Sequence, residues 1–99
     1  MINKIYNSPL KNKRFRVDIK TDKGIKTFDF GLRGGHTYID GASDLVRKNY
    51  LKRHMGNATE NRLITNLVPS ASLLSAKLLW GPTRDLGKNI AELNKLWKD

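Results

Sequence analysis

From Arg14 onward the chain alternates with period two. Phe15, Val17 and Ile19 are interleaved with Arg16, Asp18 and Lys20, which gives a strand one apolar and one charged face. Thr21-Asp22-Lys23-Gly24 is turn chemistry, and residues 25–30 form a second strand with Phe28 and Phe30 on one face. The pattern predicts a β-hairpin. A hairpin alone is marginal, so its aromatic face must be covered by helices.

The period then lengthens. Ser43 reads as an N-cap, Asp44 favours the positive end of the helix dipole, and Val46, Tyr50, Leu51 and Met55 are expected on the inner side of a helix ending at Gly56-Asn57. Residues 57–68 are polar first and then carry Leu63, Ile64, Leu67 and Val68, which fits a loop or a weak short helix. Residues 70–80 are the longest apolar run. Pro69 and Ser70 can open a helix there, and Gly81-Pro82 forbids its continuation. Leu73, Leu74, Leu78, Leu79 and Trp80 spread around most of its circumference, so it is either core or protein interface. Thr83 is the expected cap of a last helix, in which Leu86, Ile90, Leu93 and Trp97 recur as one amphipathic stripe.

Residues 1–12 show neither period. Ile2, Ile5, Tyr6 and Leu10 are mixed with Asn, Lys and Ser8-Pro9, which reads as an arm ordered only when its apolar groups dock.

Charge changes the picture most. Nineteen Lys and Arg stand against nine Asp and Glu in 99 residues, a formal net charge of +10. Such a balance repels itself and points to an acidic partner: nucleic acid, an acidic protein surface or anionic lipid. Lys11, Lys13, Arg14 and Arg16 are clustered before and within the first expected strand, and Arg47, Lys48, Lys52 and Arg53 decorate the first expected helix. Either group could contact phosphates, or be the solvated face of any basic protein. Cysteine is absent, which removes disulfides, thiolate metal sites and cysteine nucleophiles together. A leader segment is not expected, and no run approaches the roughly 20 apolar residues that span a bilayer.

Candidate chemistry is sparse. The glycine-rich stretch 31–41 lacks both the P-loop lysine and serine spacing and the G-x-G-x-x-G pattern, so a connecting loop is expected, with a short extended piece at residues 36–39. His36 and His54 are the candidates for proton transfer near neutral pH, and neither has a metal-binding motif around it. No catalytic residue and no cofactor or metal site is expected.

Lys13-Arg14-Phe15-Arg16-Val17, Thr27-Phe28-Asp29-Phe30-Gly31, then Arg47 and Tyr50 leading to Lys52-Arg53-His54, and Leu78-Leu79-Trp80 follow in an order and spacing that resembles a short basic domain of unknown function. Large double-stranded DNA viruses of algae and protists encode that domain, and the resemblance covers roughly residues 9 to 95. It implies a viral origin and a non-enzymatic role associated with the virion or with DNA.

The resulting expectation is an α+β fold, an N-terminal β-hairpin packed against about three helices, with residues 1–13 as a basic arm and 14–99 as one domain. The favoured function is a minor capsid-associated structural protein of a large DNA virus. Its partners would be other virion proteins and packaged DNA, and its place the virion or the infected host cell's interior. The alternative is a free, sequence-non-specific nucleic-acid-binding protein.

Overall fold

The residues expected as an arm form the first strand of a sheet. In the computed structural model, β1 (Ile2–Asn7) pairs antiparallel with β2 (Lys13–Thr21), which pairs antiparallel with β3 (Gly24–Leu32), in the order β1-β2-β3. The model describes residues 1–98; Asp99, part of the expected domain 14–99, lies outside the described residues. The arm reading fails because β1 contains a bulge. Ile5 pairs with Val17 and Lys4 with Asp18, but the register then shifts so that Ile2 lies opposite Ile19. In regular pairing Ile2 would point to solvent; the extra residue turns it inward, where it is buried. Asn94 closes the other side, its Oδ1 accepting from the Ile2 amide at 2.7 Å.

The register places Ile5, Phe15, Val17, Ile19, Phe28 and Phe30 on one face of the sheet. Among the described residues four helices follow the strands rather than three: α1 (Asp44–Met55), α2 (Ala58–Thr65), α3 (Ala71–Leu74) and α4 (Leu86–Lys98). Residues 36–39 are not extended; a single 3-10 turn, Tyr38–Asp40, stands there. The end of β3 needs glycine at one point. Gly31 has φ +79°, and a Cβ on it would come 2.9 Å from a Leu79 methyl and 3.1 Å from the Arg14 Cβ.

The apolar run covers the sheet. Leu73, Leu74, Leu78 and Leu79 are at most 1% exposed and Trp80 8%, so its wide apolar surface is core. It is not one regular helix. After α3 the chain widens into a π-helical segment, Ser75–Leu79, closed by the Trp80 amide donating to the Ser75 carbonyl at 3.0 Å. The carbonyls this leaves over are taken by side chains. Asn89, itself buried, donates Nδ2 to the carbonyls of Leu78 and Thr83, both at 2.9 Å. Its Oδ1 accepts from the Thr83 amide and hydroxyl. Arg47 Nε reaches the carbonyls of Trp80 at 3.1 Å and Gly81 at 2.9 Å. Gly81 is therefore more than a helix breaker: a Cβ there would lie 2.1 Å from the Lys77 carbonyl oxygen.

Thr83 does not cap α4. Asp85 does, its Oδ1 accepting from the Lys88 amide at 2.9 Å, while the Thr83 hydroxyl braces the Asp85 carbonyl. Leu93 is buried, Leu86, Ile90 and Trp97 pack against the core, and Trp97 Nε1 donates to the Leu67 carbonyl at 2.8 Å.

Candidate functional site

The eight cations expected to meet an acidic partner do not form one surface. Arg14 makes a bidentate pair with Asp40, at 2.6 and 2.7 Å. Asp40 also accepts from the Thr37 amide and hydroxyl, and the Arg14 guanidinium holds its carboxyl well below the usual carboxylate range. Arg16 pairs with Asp29 at 2.9 Å on the uncovered sheet face; with Ser8 donating to the same carboxylate, Asp29 is likewise lowered. Arg47 is spent on the backbone of Trp80 and Gly81, and with Arg84 it flanks the Tyr38 ring. These three arginines belong to the fold.

Lys11, Lys13, Lys48, Lys52 and Arg53 are exposed, and among the described residues none is in an ion pair. α1 explains the split of the last three. At 100° per residue, Lys48 and Lys52 point away from the side on which Tyr50 meets the core, while Arg53 and His54 flank that side. Val46, expected inside, is 47% exposed, because it falls in the first turn of α1, beyond the reach of the core.

Lys13 and Arg53 line the same cleft, whose volume is about 560 Å³. Its floor runs from the loop at Gly35 and His36 to Leu79, Trp80 and Ser75, and its far wall is Tyr50, His54, Glu60 and Ser72. Trp80 stacks on Tyr50 with ring centroids 4.4 Å apart and planes 11° apart, and His54 lies 4.1 Å from Tyr50. A ring has two faces. With Trp80 on one, His54 covers the other and ends the stack. Burial pushes the Tyr50 phenol up, with the nearby Glu60 charge acting the same way.

His54 is held from a second side. Its Nδ1 lies 2.9 Å from Glu60 Oε1. Where the carboxylate is ionised it only accepts, and Nδ1 is then the donor of this contact. The Ser72 hydroxyl donates to the same Glu60 oxygen at 3.4 Å. Glu60 is fixed by α2, whose N-cap Asn57 accepts from the Glu60 amide at 3.0 Å.

His36 and His54, far apart in the chain, share this cleft, and Glu60 faces His54, a juxtaposition the spacing of the histidines does not reveal. One signal was present: Asn57 followed three residues later by Glu60 is a helix-start pattern, which would have turned the chain back at Gly56 and brought Glu60 under His54. The closure of the cleft by Lys13 and Ser72 depends on tertiary packing and had no local signal.

Chemically, the cleft offers two cations without acidic partners among the described residues, one of them, Arg53, 5.9 Å over the Tyr50 ring, together with an aromatic stack and hydrogen-bonding groups, a set suited to an anion with a flat ring system. Among the described residues no cluster of His, Cys, Asp or Glu could hold a metal ion, and no helix is long and apolar enough to cross a membrane.

A model of a family of unknown function (DUF5754) matches residues 3–54, that is, the sheet, the loop after it and α1 as far as His54. An uncharacterized protein of Acanthamoeba polyphaga mimivirus is 38% identical over 80 residues, covering 78% of this chain and 79% of that protein. No solved structure matches.

Proposed function

We propose that this chain, which belongs to the family of unknown function DUF5754 and has a giant-virus relative, is a non-enzymatic viral protein that binds nucleic acid without sequence preference. The observation that supports this most is the sorting of its cations. Arg14, Arg16 and Arg47 are consumed inside the fold, yet Lys13 and Arg53 at the cleft and Lys48 and Lys52 on the outer side of α1 are left without acidic partners. Uncompensated charge around a concave, ring-lined site suits a phosphodiester chain better than a protein surface.

The apolar run, expected as either core or protein interface, offers little exposed surface to a capsid partner. That run is buried, so the virion setting now rests on DNA as the link: the protein would enter particles with the genome it coats. Binding of a fluorescein-labelled oligonucleotide of random sequence, followed by anisotropy across salt concentrations, tests the reading. Log affinity should fall linearly with log salt, with a slope of about 0.7–0.9 per phosphate contacted. Affinity indifferent to salt, or confined to one base sequence, would overturn it.

A further inference from the structure

The cleft and the outer face of α1 differ in shape as well as position, and that difference bears on which form of nucleic acid is held. This step rests on the nucleic-acid reading above. We infer that the cleft is a site for one unpaired nucleotide, its phosphate between Lys13 and Arg53 and its base on the ring stack at His54, so that the protein prefers single strands and strand ends to duplex.

Four observations carry this. The cleft, at about 560 Å³, is within the roughly 300–1,000 Å³ typical of small-molecule sites, so it is of nucleotide size rather than duplex size. The Trp80–Tyr50–His54 stack ends at His54, whose side chain is 26% exposed and lines the cleft, and stacking on such a ring tolerates any base. Lys13 and Arg53 come from β2 and α1, and neither has an acidic partner among the described residues. Among the described residues Glu60 is the one carboxylate lining the cleft, and it is already engaged by His54 and Ser72, so its repulsion of a phosphate is blunted.

A base pair cannot use this arrangement. In a duplex the ring faces are covered by neighbouring pairs, and a base reaches a recessed stack only after unstacking and unpairing. Duplex phosphates are on the outside and meet convex cations, among which Lys48 and Lys52 lie one turn apart on the outer side of α1.

The test is anisotropy with two labelled probes at equal salt, a thymidine single strand of about 15 nucleotides and a duplex of the same length. The single strand should bind roughly tenfold tighter, the scale of one to two stacked bases. The double variant Lys13→Glu/Arg53→Glu should reduce single-strand affinity at least about tenfold and duplex affinity by less than about threefold; Lys48→Glu/Lys52→Glu should do the reverse. All four side chains are exposed, so the fold is retained, and Lys13→Ala/Arg53→Ala gives the same ordering with a smaller charge change. Duplex binding as tight as single-strand binding, or the outer pair costing the single strand as much as the cleft pair, overturns the cleft site and leaves the nucleic-acid reading standing. If neither probe binds, both fall.

Discussion

Residues 71–81 and α1 meet across the Tyr50–Trp80 stack and treat their side chains in opposite ways. The first segment buries its leucines, Ala76 and Trp80, and its irregular π-helical backbone is held by Asn89 and Arg47 from outside. The second has no buried residue, forms a regular helix capped by Ser43, and displays cations on its outer side. The lesson is that apolar pattern assigns a segment to the core reliably, because burial needs only an apolar surface wide enough to be covered on several sides. Charge pattern does not assign a segment to a partner, because a cation's role depends on which acid or carbonyl the fold brings to it.

The comparison breaks most readily on the buried side. Gly81→Ala forces a Cβ into the Lys77 carbonyl, and Trp80→Ala opens a cavity in the core. Each should cost about 3–5 kcal/mol, read as a large loss of melting temperature or failure to fold. A Gly81→Ala variant that melts like the parent would mean that the π-helical segment is not held as described.

Asn89→Ala should come next. It strips the Leu78 carbonyl and the Thr83 amide of their partners, and about 2–3 kcal/mol should be lost in chemical denaturation. Asn89→Asp should be no rescue, since a carboxylate cannot donate to Leu78.

Smaller, and dependent on pH, is the effect of Asp40. Its carboxyl is lowered in the fold by Arg14, so the stability it contributes is full above the ordinary carboxylate range and is lost as pH falls below about 4 toward its own lower value. Asp40→Asn should therefore cost on the order of 1–2 kcal/mol at neutral pH and little in strong acid. Equal losses at both would show that the contact is not ionic. Smallest of all, Lys48→Ala/Lys52→Ala should leave the melting temperature unchanged. If those residues meet phosphates, the salt slope for duplex should flatten by about 0.9 for each lysine removed.

The strands and helices that alternate or repeat cleanly were legible in the sequence: β2 and β3 from period two, α4 from its stripe of Leu86, Ile90, Leu93 and Trp97, and the apolar run from its width. β1 was not, because one bulge between Ile2 and Lys4 puts the inward residues out of step and hides the alternation. The π-helical segment was not either. Its cause is remote, since Asn89 and Arg47 reach it from other helices. The candidate site was legible only in part. Lys13, Arg53 and the two histidines stood out as residue types, but the cleft exists because α2 folds back against α1 while Lys13, Gly31 and Leu32 of the sheet line it as well. Nothing in residues 11–16 distinguishes Lys13, free at a cleft, from Arg14, paired with an aspartate in a distant turn.

The central claim is that cations close together in the chain divide into those that hold the fold and those that hold the partner. Thermal melting of the parent, Arg47→Ala and Arg53→Ala, each with and without a single-stranded oligonucleotide, tests it most directly. Arg47→Ala should melt several degrees lower on its own yet keep the oligonucleotide-induced rise, because it loses the bonds to Trp80 and Gly81 and no phosphate contact. Arg53→Ala should melt close to the parent, losing only its contact over the Tyr50 ring, and its rise should be clearly smaller than the parent's. An unchanged melting temperature for Arg47→Ala, or an undiminished rise for Arg53→Ala, would contradict the division.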